Sequence, residues 1–208
     1  MKNKGSIIYV VDDDVSVCRA LVLLLRPYGF RVETFARAAD FLAFKHIKSP
    51  SCLVLDIQLP DTNGLALQEA MAVRQLAVPI VFITGHGDIP MSVKGMKAGA
   101  VDFIPKPFTK KDLLNAIERA IAKNKIQIKK HAEVTKIKQR IKTLSPRELE
   151  VFRLVAKGML SKQIAQKRGT SLQTIKVHRG RVMQKMQAKT VTELIHFAQK
   201  AAITPSER

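Results

Sequence analysis

Residues 7–14 read IIYVVDDD and residues 52–58 read CLVLDIQ. Each is a short apolar run that stops abruptly at carboxylates. Three further runs of the same kind follow: Arg31–Phe35, Ile80–Ile83 and Val101–Ile104. Between the runs lie stretches of helical period. Val15–Arg26 offers Val17, Ala20, Leu21, Leu24 and Leu25 to one side, and Asn63–Gln75 offers Leu65, Leu67, Ala70, Met71 and Val73; Pro90–Ala98 and Lys110–Ala122 behave alike. Strands alternating with helices bury themselves as a parallel sheet covered on both faces. Five strands in roughly 120 residues predict an α/β domain with a flavodoxin-like, five-stranded, doubly wound parallel sheet.

Right-handed crossovers bring the carboxyl ends of all the strands to one edge, where such folds bind ligands. The first run is followed by Asp12, Asp13 and Asp14, the third by Asp56, the fourth by Thr84, and the fifth by Lys106 between Pro105 and Pro107. Crowded carboxylates do not all stay ionised without counter-charge. Lys106 supplies one positive charge. A hard divalent cation supplies the rest, and Mg2+ suits two carboxylates with waters and a phosphoryl oxygen. A carboxylate held beside a metal and an ammonium is arranged to attack phosphorus. Asp56, carried alone to the middle of the edge, is the expected nucleophile. Asp13 is the expected direct metal ligand, Asp12 a ligand through water, and the Gln58 carbonyl a third contact. Thr84 is expected to donate its hydroxyl to the new phosphoryl group, and Lys106 to pair with it. Asp14 reads as the cap of the first helix.

The stretches VVDDD, LVLDIQLPDTNG, VFITGHGDIP and KAGAVDFIPKPF resemble the receiver domain of bacterial two-component response regulators over residues 6–122. The resemblance implies phosphorylation of Asp56 by a partner histidine kinase with Mg2+ required. It also implies a Thr84-linked shift of Phe103 and a cis Lys106–Pro107 bond. Many receivers have Tyr at the Phe103 position; a Phe there also suits a plain core aromatic.

Charge divides the chain. It carries 36 Lys and Arg against 17 Asp and Glu, a net of +19. Residues 1–122 hold 15 basic and 12 acidic side chains, a net of +3, leaving 21 and 5, a net of +16, for residues 123–208. A concentrated excess of that kind fits a polyanion, nucleic acid ahead of a membrane surface. Residues 123–142 carry eight of the basic groups without Gly or Pro, and read as a basic, partly helical linker with a solvated face. No apolar run of membrane-spanning length occurs, and MKNKGSIIYVVDDD reaches carboxylates too soon for a signal peptide, so a cytoplasmic protein is expected. Cys18 and Cys52 lack metal or disulfide spacing and read as core residues.

From Leu144 the pattern changes to short helices, giving a domain expected over 143–208. Ser145-Pro146-Arg147-Glu148 is a capping box with Pro at the first helical position, and Thr190-Val191-Thr192-Glu193 is a second box. Between them, SKQIAQKR, the turn Gly169-Thr170-Ser171 and a longer helix from Leu172 to Gln187 form a helix-turn-helix. With Ile175 inward, Leu172, His178, Val182 and Met186 fall on the core side. Gln173, Lys176, Val177, Gly180, Arg181 and Gln184 face out toward a major groove. Lys176 is expected at a base edge or a phosphate, and Val177 on a thymine methyl. Thr170, Ser171, Thr174, Arg181 and Lys185 are expected at phosphates. Arg179 must snorkel from the edge of the buried side, and His178 reads as a satisfied core histidine. Gly180 allows close approach to the duplex or a helix–helix contact; both readings stand.

LSPRELEVFRLVAKGMLSKQIAQKRGTSLQTIKVHRGRVMQKM is similar to the LuxR-type DNA-binding domain of NarL/FixJ-like response regulators. That resemblance implies dimerisation on DNA through the last helix, here the apolar positions Val191, Leu194, Ile195 and Ala198. The expected function is a phosphorylation-controlled transcription factor that is not an enzyme beyond its own phosphotransfer. Its expected partners are a sensor histidine kinase, double-stranded DNA, a second copy of the chain and RNA polymerase. The alternatives are a Mg2+-dependent aspartyl-phosphate phosphotransferase or phosphatase, and a receiver-linked RNA-binding antiterminator. Gln58, where such enzymes need an acid/base carboxylate, and the shortage of aromatics for base stacking weigh against them.

Overall fold

Three apolar runs are buried along their whole length: β1 (Ile7–Val11), β3 (Ser51–Asp56) and β4 (Ile80–Thr84). Burial on both faces is the mark of central parallel strands. In the computed structural model, which describes residues 5–44, 47, 50–85 and 89–203, these strands form the middle of one sheet. The half-exposed β2 (Arg31–Phe35) and β5 (Asp102–Pro105) are its edges. The order is β2-β1-β3-β4-β5, every neighbouring pair being parallel. This is the doubly wound α/β fold expected from the sequence.

The helices of this unit are α1 (Val15–Leu25), α2 (Ala38–Ala43), α3 (Gly64–Val73), α4 (Ile89–Lys97) and the first part of α5 (Lys110–Lys142). On one face of the sheet, Leu21 and Leu25 of α1 and Leu113, Ala116, Ile117, Ala120 and Ile121 of α5 pack on Ile8, Val10, Val54 and Ile83. On the other, Phe41, Leu67 and Met71 from α2 and α3 pack on Tyr9, Leu53, Leu55 and Phe82. The short α2 has no counterpart in the sequence reading, because six residues are too few to display a period. Its first amides are held by the Asp61 carboxylate, which accepts from Ala38 N at 3.3 Å and Ala39 N at 3.0 Å.

The chain divides into two compact units, Met1–Ile128 and Lys129–Arg208, and the division falls inside α5, which runs unbroken through residues 123–142. The second unit adds α6 (Pro146–Ala156), α7 (Ser161–Arg168), α8 (Leu172–Met186) and α9 (Val191–Lys200) to the end of α5. Its core gathers Ile137, Val151, Phe152, Val155, Ile164, Ile175, Val182, Met186, Leu194 and Ala198.

The α6 capping box closes as the sequence implies, Ser145 Oγ accepting from Glu148 N and Glu148 accepting from Ser145 N at 2.8 Å. The same Glu148 carboxylate, buried, also takes Lys185 of α8 at 2.6 Å, and the Lys185 ammonium donates to the Thr143 carbonyl at 3.1 Å. The Lys185 ammonium, and then the Ser145 amide, hold the Glu148 carboxyl down at about 2. A depressed carboxyl stabilises the fold above its unfolded value, and that contribution is lost as pH falls toward the folded value. Glu148→Gln should therefore lower the melting temperature at neutral pH, and the gap to wild type should close between about pH 4.5 and about 2. Thermal melts across that window check it.

Candidate functional site

Register brings the first strand ends together. Val11 lies opposite Leu55 and Asp56 lies opposite Ile83, so the residue after β1, Asp12, stands beside Asp56, and Thr84 follows at the end of β4. β1 and β3 flank the point where strand order reverses, the place where such sheets open a crevice. Carboxylate oxygens of Asp12, Asp13 and Asp56 all lie within 4.8 Å of one another. Asp12 and Asp56 are buried and Asp13 is exposed.

Lys106 enters from the end of β5. Its ammonium donates to Asp12 Oδ2 at 2.8 Å and to Asp56 Oδ2 at 2.7 Å. The Lys106 amide donates to the Thr84 carbonyl at 2.6 Å, and the Lys106–Pro107 peptide is cis. Burial tends to lower the Lys106 ammonium, but its hydrogen bonds to the Asp12 and Asp56 carboxylates outweigh this and raise it above the ordinary lysine value. Burial raises the Asp12 carboxyl, against the pull of Lys106 and of the Asp14 amide. Asp14 caps α1 as read from the sequence, accepting from Ser16 N at 2.7 Å and Val17 N at 3.3 Å. Those amides hold its carboxyl below the usual range.

The loop after β3 is held close to Asp56. Gln58 N donates to Asp56 Oδ1 at 3.2 Å, Gln58 forms a bridge with Asn63, and Gly64 N donates to the Ile57 carbonyl at 2.8 Å. A Cβ on Gly64 would stand 2.5 Å from the Asp56 carbonyl oxygen, so only glycine lets α3 begin this close to the strand end. Sequence reasoning misses Gly64 and Asp61; the signal for both is the short interval after Asp56. Thr84 is fully buried, and Phe103 is half-buried with its ring 5.9 Å from that of Phe82. The donor set fits an oxygen-seeking divalent cation: three carboxylates against one ammonium leave a formal −2.

In the second unit, the outward residues of α8 fall as the helical wheel places them. Gln173, Lys176, Val177, Gly180, Arg181 and Gln184 are all exposed. Ser171 caps the helix, accepting from Thr174 N at 3.0 Å and sharing a hydroxyl contact with Thr174 at 2.8 Å; Thr170 is half-buried in the turn before it. Arg179 turns to α7, donating to Ser161 Oγ at 3.1 Å. A Cβ on Gly180 would meet nothing within 4 Å, which removes the helix–helix explanation for that glycine.

Four expectations need correction. Lys185 pairs with Glu148 and Thr143 rather than standing free for phosphate. Leu172, at the first turn of α8, is 40 % exposed instead of inward. His178 is half-buried, but its Nδ1 is buried without a hydrogen-bond partner among the described residues, so it is not the satisfied core histidine expected. In α9, Leu194 and Ala198 lie in the core of their own unit because the helix packs that side on α6 and α8, while Val191 and Ile195 stay half-buried. A stripe through all four therefore does not face outward. Of the two cysteines, Cys52 is a core residue as expected, and Cys18 is half-buried, donating to the Asp12 carbonyl at 3.3 Å.

Residues 8–118 match the response regulator receiver domain, and residues 142–198 match the luxR family of bacterial regulatory proteins. The chain belongs to the two-component response regulators of the NarL/FixJ type. The regulator is 42% identical to nodulation protein W of Bradyrhizobium diazoefficiens over 96% of its own length and 88% of that protein's. It is 40% identical to the transcriptional regulatory protein FixJ of the same organism over 98% of both chains. Among solved structures it resembles the response regulator StyR, with a TM-score of 0.80 and 42% identity over 94% of this chain and 98% of that one. Full-length FixJ from B. japonicum is similar at a TM-score of 0.58 and 39% identity, over 97% and 99% of the two chains. The regulator is thus a transcription factor with a receiver and a LuxR-type helix-turn-helix, and neither the enzyme nor the antiterminator reading is favoured. No helix among the described residues is long and apolar enough to cross a membrane.

Asp13 makes no ion pair among the described residues, so its charge is the least compensated of the three. Asp13→Asn should raise the melting temperature of the first unit in chelated buffer by a few degrees, roughly 3–5 °C per kcal/mol of relieved repulsion for a unit of this size, and should blunt the further rise that Mg2+ gives wild type. Calorimetry with and without the cation measures both.

Proposed function

We propose that the regulator accepts a phosphoryl group on Asp56 from a partner histidine kinase and thereby controls its binding to DNA. The observation that carries this reading is the Lys106 ammonium set between the Asp12 and Asp56 carboxylates at the sheet edge. An Asp56 oxygen attacks phosphorus, the phosphorus–nitrogen bond of the donor phosphohistidine breaks, and the imidazole leaves. Lys106 then exchanges its carboxylate partner for a phosphoryl oxygen, and Thr84 donates its hydroxyl to another. Asp13, Asp56 and the Gln58 carbonyl would hold Mg2+, with Asp12 a ligand through water, and the ion would supply positive charge against the phosphoryl oxygens. As Thr84 is drawn toward the phosphoryl group, Phe103, on the neighbouring strand β5 and packed on Phe82, changes position, and the nearby surface changes with it.

Residues 1–122 are the phosphoacceptor domain, 123–142 the linker and 143–208 the DNA-binding domain. Lys176 and Val177 read bases in the major groove, Gly180 allows the backbone close to the duplex, and Thr170, Ser171, Thr174 and Arg181 hold phosphates. Arg179 acts from beside Ser161. The DNA-bound form is a homodimer with Val191 and Ile195 of α9 at its contact and Leu194 and Ala198 supporting them from the core. It works in the cytoplasm, where RNA polymerase is a further partner.

With a small phosphodonor and Mg2+, wild type should gain mass in light scattering and extend its footprint on genomic fragments, and Asp56→Asn should do neither. An unchanged response in Asp56→Asn would overturn the reading. Gly180→Ala should stabilise the helix by about 1 kcal/mol yet weaken duplex binding; equal or tighter binding would remove Gly180 from the DNA surface.

A further inference from the structure

Among the described residues of the second unit, the acidic side chains are already engaged. Glu133 pairs with Lys200 at 2.5 Å, Glu148 with Lys185 at 2.6 Å, and Glu150 with Arg168 at 2.7 Å and Arg147 at 3.5 Å. Glu193 accepts from Lys189 N at 2.7 Å. Against this, Lys129, Lys130, Lys136, Lys138 and Lys142 on the last turns of α5 are exposed, and their ammonium groups have no ion pair or hydrogen bond among the described residues. An uncompensated run of charge needs a partner or salt to relieve it.

The segment that bears them is fixed to the reading helix. Arg140 Nη1 donates to the Met186 carbonyl at 3.1 Å and Nη2 to Gln187 Oε1 at 2.5 Å, both at the C-terminal end of α8. At about 100° per residue, Lys136 and Lys129 fall within about 40° of Arg140, on the side that holds α8. Ile137 and Ile141 turn to the core, and Lys138 and Lys142 fall on the far side. From Lys129 to Arg140 the helix rises about 17 Å, the length of about five phosphates along one strand.

We propose that this stripe of α5 is a second DNA-contact surface, with Lys129 and Lys136 gripping phosphates outside the segment that α8 reads. The inference rests on the DNA-binding reading of the second unit. A membrane is a poor fit, because no large apolar side chain within residues 129–142 is strongly exposed. Duplex phosphate suits lysines, which bind as point charges without sequence information.

The test uses the full chain and a mixed-sequence duplex several helical turns long, with affinity measured as a function of salt. The double variant Lys129→Gln/Lys136→Gln should flatten the slope of log K against log salt by about 2, near 0.9 for each phosphate that is no longer neutralised. The control Lys138→Gln/Lys142→Gln removes equal charge from the far side and should keep the wild-type slope. An unchanged slope in the first pair overturns the inference, and so does an equal loss in both, which would make the effect one of net charge. Wild type that fails to bind duplex overturns the DNA reading itself, whereas binding untouched by the first pair overturns only the lysine assignment.

Discussion

The first unit turns on one ammonium shared by two carboxylates. Asp12 and Asp56 are carried into the same crevice by parallel register, and neither strand can slip by one residue without turning its buried side chains to the opposite face. Hydrophobic register thus forces like charges together, and Lys106, arriving from the end of β5, is what makes the juxtaposition tolerable. The arrangement is compact but not charge-neutral, because Asp13 stays exposed beside it with no ion pair of its own among the described residues. Thr84 and Phe103 lie on the adjoining strands β4 and β5, where a change in the partners of that ammonium would be felt.

The second unit uses the same device for a structural end. Glu148 serves first as the capping partner of α6 and then as the anchor of Lys185 on α8, so a helix cap and a helix–helix contact share one carboxylate. The C-terminal end of α8 is held again through Arg140. Its outward face leaves Lys176, Val177, Gly180 and Arg181 exposed, as a groove-reading surface requires.

The sheet, its helices and the residues at the strand ends are legible in the sequence because buried parallel strands are continuous apolar runs and their carboxyl ends share an edge by topology. Helix caps at Asp14, Ser145 and Thr190 are legible for a local reason, since the capping side chain and its amides are neighbours in sequence. What escapes depends on contacts distant along the chain. Nothing local distinguishes Lys185 from Arg181, yet a carboxylate 37 residues earlier engages its ammonium. Asp61 holds amides 22 and 23 residues away, and α2 is too short to announce itself. In α9 the apolar positions do form a stripe, but periodicity does not say which neighbour covers it, and the core of its own unit takes Leu194 and Ala198.

The most direct measurement is the position of the acyl phosphate. Borohydride reduces an aspartyl phosphate to the alcohol, leaving homoserine at the modified residue, and peptide mass mapping then locates it. After treatment of the regulator with a small phosphodonor and Mg2+, the homoserine should lie at residue 56 and be missing when Mg2+ is chelated. Homoserine at residue 12 or 13 instead, or none at any carboxylate of the crevice, would contradict the assignment of Asp56 as the group that attacks phosphorus.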